Sequence, residues 1–172
     1  MVKELLVSTF FDVLRLLSSM ALTVFSLYSS IKILDKMTVG IEEWQEIKKG
    51  NVAVGILYSS VLVSIVILCS DSTSQFTSFI SPSSYILRAI FLLLLSLLLY
   101  IINLFVSILV IYLTFNLFDK LTVDVDEILE LKKGNVAIAL LLSVIILSVA
   151  FMLRAPMSDI FQINHILSLL GL

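Results

Sequence analysis

"EIKKGNVAV" (46–54) and "ELKKGNVAI" (130–138) are two versions of one phrase, 84 positions apart, and each leads into a long apolar stretch. The match extends upstream, where "DKMTVGIEEWQEIKKGNVAV" (35–54) aligns with "DKLTVDVDEILELKKGNVAI" (119–138). At the same offset Tyr28 meets Tyr112, and a downstream serine, Ser64, meets Ser148. The chain is therefore predicted to be a tandem duplication, each copy holding a charged segment between two apolar ones.

The composition indicates a membrane protein. Of the 172 residues, 60% are hydrophobic and 14% are charged, against about 45–50% and about 25% in an ordinary soluble domain. A soluble fold of this size needs more polar residues to cover its core. The net charge of −2 gives no reason to expect a nucleic-acid partner.

Four apolar stretches are long enough to cross a bilayer, which takes about 20 residues in a helix. They lie at 14–34, 52–69, 89–118 and 136–153. The first is interpreted as a span and not as a cleaved signal peptide, because Asp12 and Arg15 interrupt its apolar start. The last is expected to end where a charge meets a helix breaker, at Arg154 and Pro156.

The distribution of lysines predicts the orientation. If all four helices cross, the segments 35–51 and 119–135 share one side, and that side carries Lys36, Lys48, Lys49, Lys120, Lys132 and Lys133. Cytoplasmic loops are rich in Lys and Arg. The repeated phrase is thus expected on the cytoplasmic face of the cell (plasma or inner) membrane, with both termini outside and the repeat axis along the membrane normal.

The expected fold is an all-α polytopic membrane protein, with four transmembrane helices forming two tandem helical hairpins and a short interfacial helix at the C-terminus. The first repeat is assigned to 1–70 and the second to 85–154. A Ser-rich external loop is expected at 71–84, and an amphipathic tail at 155–172.

Each copy of the phrase predicts a short amphipathic helix before the next span. "DVDE" (124–127) has the pattern of a capping box starting at Asp124, and Gly40 with Glu43 takes those places in the first copy. Gly50 and Gly134 suit a left-handed C-cap. The alternative is one continuous helix through Gly-Asn, and the sequence leaves both readings open.

The repeated phrase supplies the candidate site. Two interpretations apply: a membrane-anchoring elbow, in which glutamate pairs with lysine and asparagine satisfies backbone groups, or a ring of oxygens framing a cation entrance. The candidate residues are Asp35, Thr38, Glu46, Gly50 and Asn51 in the first copy, and Asp119, Thr122, Glu130, Gly134 and Asn135 in the second.

Small residues in the second and fourth spans are candidates for helix packing, since they let membrane helices approach closely. They fall on two nearly opposite faces of each helix, so neighbours are expected on both sides. A hydroxyl-lined path for water or ions is the alternative interpretation. The residues are Ala53, Gly55, Ser59 and Ser64, with Ala137, Ala139, Ser143 and Ser148.

Few residues suggest chemistry. Cys69 is the single cysteine and His165 the single histidine, so neither a disulfide nor a zinc site is expected. With no nucleophile motif and no phosphate loop, we expect no enzyme activity, no cofactor and no metal. Asp12 and Arg15 are expected to pair across a helix turn, and Asn103 to bond to a neighbouring helix.

The pattern D-K-x-T, an acidic amphipathic stretch, and then E-[IL]-K-K-G-N-V-A-[VI] before a span resembles the YjfL-like integral membrane proteins, domain-of-unknown-function family 350. The resemblance covers both halves and leaves out the tail from Met157. It implies a four-helix inner-membrane protein without implying a particular activity.

The expected function is that of a non-catalytic structural or interaction subunit of a prokaryotic membrane assembly. Its expected partners are the lipid bilayer and either further copies of the chain or other membrane subunits. The alternative is a small oligomeric channel with Glu46 and Glu130 at its cytoplasmic mouth.

Overall fold

The computed structural model describes residues 2–37, 43–81, 86–121 and 126–163, and within these ranges it contains helices and no strand. Four helices are long and apolar enough to cross a membrane, which confirms the predicted number of spans. Two short helices precede the second and fourth of them. In chain order the helices are α1 (Val2–Met37), α2 (Glu43–Lys48), α3 (Val52–Ser78), α4 (Ile86–Leu121), α5 (Glu127–Lys132) and α6 (Val136–Ile160).

Helix α3 lies at the centre of the four long helices. Its most extensive contacts are with α6, followed by α4 and α1. Arg154 of α6 binds the Asp71 carboxylate through two nitrogens, at 2.8 and 3.0 Å, and Asn51 at the opposite end of α3 reaches the carbonyl of Leu131, just before α6, at 2.9 Å. Since contacts at both ends join matching ends of the two helices, α3 and α6 run parallel.

A hydrogen bond from Asn103 fastens α4 to α3, as the sequence predicts. The Asn103 amide donates to the carbonyl of Leu68 at 3.1 Å and to the hydroxyl of Ser72 at 2.8 Å. All three residues are buried. An amide inside a membrane bundle stabilises helix association because hydrocarbon offers it no alternative partner.

The predicted external loop at 71–84 is largely wrong, because α3 continues to Ser78. Ser and Thr hydroxyls in this stretch bond back to carbonyls of the preceding turn, as in Thr73 to Cys69 at 3.0 Å and Ser74 to Ser70 at 3.0 Å. These side chains satisfy their own polarity within the helix. Residues 82–85 lie outside the described ranges.

The predicted end of the last span is also wrong, because α6 passes through Pro156 and ends at Ile160. Membrane helices tolerate proline when neighbouring groups support the chain, and the Arg154–Asp71 pair fastens α6 to α3 two residues before it. The first residues of the predicted amphipathic tail, 155–160, therefore lie inside α6. His165 and the rest of that tail, 164–172, lie outside the described residues.

Near the N-terminus of α1 the predicted ion pair between Asp12 and Arg15 is confirmed. The Arg15 guanidinium lies 3.1 Å from the Asp12 carboxylate and also donates to the carbonyl of Ile80 at 2.8 Å. Helix α1 begins well before the predicted 14–34 span, at Val2.

Candidate functional site

The first copy of the phrase forms a sharp junction between α2 and α3. Gly50 has a φ of 84°, a left-handed conformation that glycine adopts at no steric cost. The Asn51 N–H donates to the Glu46 carbonyl at 2.9 Å, and the Gly50 N–H donates to the Ile47 carbonyl at 3.0 Å. These two bonds are the Schellman pattern that ends a helix.

Asn51 also starts the next helix. Its backbone is extended, with φ −70° and ψ 96°, and its side-chain oxygen accepts from the Val54 N–H at 3.3 Å. This is an N-cap. One Gly-Asn pair therefore ends α2 and begins α3, which decides between the two readings of the sequence in favour of a break.

The second copy repeats this geometry between α5 and α6. Gly134 has a φ of 80°, and the Asn135 N–H donates to the Glu130 carbonyl at 3.0 Å. The Asn135 side chain accepts from the N–H groups of Ala137 at 3.2 Å and Ile138 at 3.4 Å. The junction is thus encoded locally.

Each junction holds a glutamate between a lysine and an asparagine. One carboxylate oxygen of Glu46 accepts from Lys49 at 2.7 Å and the other from the Asn51 amide at 3.1 Å. In the second copy Glu130 accepts from Lys133 and from Asn135, both at 2.8 Å. The predicted pairing of glutamate with lysine is confirmed, and each carboxylate oxygen has a donor within its own copy.

These donors lower the pKa of both glutamates. The pKa of Glu46 falls below its ordinary value mainly through the hydrogen bonds from Lys49 and then Asn51, with a smaller effect of the Lys132 charge. The pKa of Glu130 falls mainly through the bonds from Asn135 and then Lys133. Both side chains are therefore held ionised.

The two junctions differ in what else they bind. The Asn51 amide also donates to the carbonyls of Leu131 at 2.9 Å and Lys132 at 3.3 Å, at the end of α5. Among the described residues, the Asn135 amide has one acceptor, Glu130. The Asn51 side chain of the first junction thus binds the second junction, and within the described residues the Asn135 side chain makes no equivalent bond to the first.

The aromatic residue of the first copy packs on the span that follows. The rings of Trp44 and Tyr58 meet edge to face, with centroids 6.1 Å apart, and the Trp44 side chain stays half exposed. Trp at this position suits the membrane–water interface.

The start of α5 differs from the predicted capping box. Its N-cap is Asp126, whose carboxylate accepts from the Leu129 N–H at 2.9 Å. The expected cap, Asp124, lies outside the described residues, as does Gly40 of the first copy. "DVDE" contains two aspartates that can each cap a helix, and the capping-box spacing to Glu127 favours Asp124 over Asp126.

The remaining motif residues are less informative. Asp35 and Asp119 fall in the last turns of α1 and α4. Thr38 and Thr122 lie outside the described residues.

Each of the two predicted packing faces is buried on one helix and largely exposed on the other. On α3, Ala53 and Ser64 are buried while Ser59 is exposed and Gly55 is half-buried. On α6 the pattern is reversed: the buried residues are Ala139 and Ser143, and the exposed ones are Ala137 and Ser148. Within one chain, one of the two predicted faces on each helix is buried, and the expectation of neighbours on both faces stays a prediction.

Three buried hydroxyls, of Ser60, Ser64 and Ser26, are hydrogen-bonded within the bundle. Ser60 donates to the Leu57 carbonyl at 2.7 Å and Ser64 donates to the Ser60 carbonyl at 2.8 Å. Ser26 is hydrogen-bonded to Tyr100. These hydroxyls are engaged within the bundle, which favours packing over a water path.

The comparison with known families agrees with the duplication. The model of a family described as Domain of Unknown Function (DUF350) matches the chain over residues 6–107 and again over 94–171. The second match reaches beyond Met157, so the expectation that the tail lies outside the resemblance is wrong. No curated protein and no solved structure gives a significant match.

Proposed function

The chain belongs to the DUF350 family, carrying its domain twice, and from that premise we propose that it is a non-catalytic structural subunit of a cell-membrane assembly. In this proposal the two Gly-Asn junctions are anchoring elbows. They hold α2 and α5 at the cytoplasmic membrane surface and set the depth and direction of α3 and α6.

The observation that carries the proposal is the engagement of the two glutamates. A cation entrance needs carboxylate oxygens that can replace part of an ion's hydration shell. Both oxygens of Glu46 and both of Glu130 instead accept from lysine and asparagine of their own copy. A lysine ammonium beside each carboxylate also repels an approaching cation.

A second observation supports anchoring. Lys48 and Lys49 are exposed at the end of α2, beside a half-exposed Trp44. Trp at the interface and lysine on the cytoplasmic side are the residues that fix the position of a membrane helix.

The test compares two pairs of substitutions in the full-length protein. Asn51→Leu and Asn135→Leu remove the helix cap and the donor to one of the two carboxylate oxygens of each glutamate, so the elbow account expects both to lower the melting temperature in detergent. Glu46→Gln and Glu130→Gln keep an acceptor for the asparagines, so they should change melting little.

The channel alternative predicts a different ranking. Under that alternative, parent protein in proteoliposomes conducts cations, and the double glutamine variant loses the flux while melting normally. That result would replace the elbow with the channel; no flux in either protein, with melting lowered by the leucine substitutions, supports the elbow.

The proposed orientation has its own test. In a Cys69→Ser background, cysteines placed at Gly40 and Asp124 should react with an impermeant maleimide only from the cytoplasmic side. A cysteine placed at Ser74, near the outer end of α3, should react only from outside. The opposite pattern would reverse the orientation.

A further inference from the structure

Helices α3 and α6 lie side by side in nearly the same orientation. The residues that line an open groove between them include Ile56, Ser59, Ser60 and Val63 of α3 and Leu140, Ser143, Val144 and Leu147 of α6. These are four pairs of repeat counterparts, 84 positions apart. If a two-fold axis ran between the parallel helices, each of these residues and its counterpart would lie on opposite sides of the helix pair. They line the same groove, so the second repeat is related to the first by a sideways displacement.

When two repeats are placed side by side, the face of the first repeat that packs on the second is buried, and the equivalent face of the second repeat is left exposed. On α3, the face that includes Ala53, Leu57, Ser60, Ser64 and Leu68 is buried, and α6 and α4 are the helices of the second repeat that pack on α3. Its counterpart on α6, which we call the open α6 face, consists of Ala137, Leu141, Val144, Ser148 and Met152.

The counterparts on these two faces differ strongly in exposure. Leu68 is 2% exposed and its counterpart Met152 is 78% exposed. Ser60 is 6% exposed and its counterpart Val144 is 61% exposed.

The complementary faces are open as well. On α6 the surface formed by Ala139, Ser143 and Leu147 is buried or half-buried, while its counterpart on α3, the open α3 face of Gly55, Ser59 and Val63, is half-buried or exposed. The same holds for the first helix of each repeat: Tyr100 of α4 is 0% exposed and its counterpart Leu16 of α1 is 64% exposed.

The polar contact between junctions follows the same rule. Asn51 binds the carbonyls of Leu131 and Lys132 in the next repeat. Shifting that contact by one repeat would join Asn135 to the carbonyls of residues 47 and 48, which the same chain does not bring to it. A second copy of the chain, placed as the second repeat is placed beside the first, would bring those carbonyls to Asn135.

We infer that the open α6 face binds a second copy of this chain, which places its α3 and α1 where α6 and α4 pack on α3 within one chain. This inference names the partner of the proposed structural subunit and rests on that proposed function. Both sides of the interface are present in every chain, so the contact is heterologous and can continue from copy to copy around an axis along the membrane normal.

The proposed contact between copies differs from the contact within one chain at the C-terminal ends of α3 and α6. Within a chain Asp71 and Arg154 form an ion pair there. Their counterparts in the proposed contact are Ala155 and Ser70. These small residues permit close approach without an ion pair, so the contact between chains depends on packing and on the Asn135 amide.

The test is crosslinking of full-length chains in native membranes, in a Cys69→Ser background. Ser70→Cys and Ala155→Cys carry different tags and are expressed separately and together. The membranes are then treated with a bismaleimide whose length matches the reach of the Arg154 and Asp71 side chains in the contact within one chain. A heterologous contact gives crosslinked dimers carrying both tags only when the two variants are co-expressed. Crosslinking of either variant alone would indicate a two-fold contact and overturn the inference, as would the absence of product in the mixture.

A blocking substitution checks the surface itself. Val144→Trp adds bulk to the open α6 face, and Leu94→Trp adds it to an equally exposed site on α4, 61% against 63%. Most of the mixed dimer should be lost with the first and retained with the second. Equal yields from both would also overturn the inference, and since the melting test of the elbows is separate, such a result would leave the proposed function standing.

Discussion

The two junctions have nearly the same local sequence and the same backbone geometry, yet among the described residues the side-chain hydrogen bonds to the other repeat come from the first junction. Asn51 caps α3, bonds to Glu46 and reaches the end of α5, whereas Asn135 caps α6 and bonds to Glu130. The difference is one of surroundings: the end of α5 lies beside Asn51, and among the described residues no acceptor from the other repeat bonds to Asn135.

This comparison separates two roles of the phrase. The helix-ending and helix-starting bonds depend on neighbouring residues and appear twice. The bond between repeats depends on what lies alongside and appears once in a single chain. The predictions below test each role in turn.

The largest effects are expected from the asparagines. Asn51→Leu removes an N-cap worth roughly 0.5–2 kcal/mol, the bond to Glu46 and, in addition, a hydrogen bond between repeats worth about 1 kcal/mol. Asn135→Leu removes the cap and the bond to Glu130, so in monomeric protein it should destabilise less, by about 1 kcal/mol. Thermal unfolding in detergent, followed by circular dichroism, measures both; a larger loss for Asn135→Leu would contradict the assigned contacts.

The glycines test the role that the copies share. Gly50→Ala and Gly134→Ala place a side chain at a positive φ, which costs about 1–2 kcal/mol. The losses should be equal, because this geometry is local. Gly55→Ala is the matched control, since Gly55 is helical and an added Cβ meets nothing within 4 Å; it should leave the free energy of unfolding unchanged or raise it. Unequal losses at Gly50 and Gly134 would show that the junctions differ locally.

The smallest effect is a pH dependence. The pKa of Glu46 and that of Glu130 lie below the ordinary 4.5 in the folded protein, so their contribution is complete above pH 4.5 and is lost as the pH falls through the lowered values. The melting temperature of the parent protein should therefore fall more steeply below pH 4.5 than that of the Glu46→Gln, Glu130→Gln double variant. Parallel pH profiles would mean that the bonds to lysine and asparagine do not stabilise the fold.

Much of this architecture follows from sequence alone. Hydropathy predicts the four spans, and the identical phrase predicts a duplicated unit with Gly-Asn at its turning point. The choice between a break and a continuous helix needed the φ of Gly50 and Gly134, because membrane helices also accept glycine.

Element ends were less predictable. The Ser-rich continuation of α3 is polar in composition but satisfies its hydroxyls on its own helix. Pro156 stays inside α6, and nearby Arg154 forms an ion pair with Asp71 of α3, 83 positions away. In each case the sequence shows polarity or a breaker, and a contact decides the outcome.

The use of the small faces was beyond the sequence in principle. Ala53 and Ala137 occupy equivalent positions, and one is buried while the other is exposed. The same residue at equivalent positions of two helices does not indicate which of the two helices has a neighbour there.

The difference between the two asparagines measured in monomers and in assembled protein tests the central claim most directly. The melting temperatures of Asn51→Leu and Asn135→Leu should be compared in dilute detergent, where the chain is a single copy, and in nanodiscs loaded with several copies. The account predicts a gap in the monomer that closes on assembly, because Asn135 then gains its partner in the next chain. The same gap under both conditions, or none under either, would contradict the repetition of one contact within and between chains.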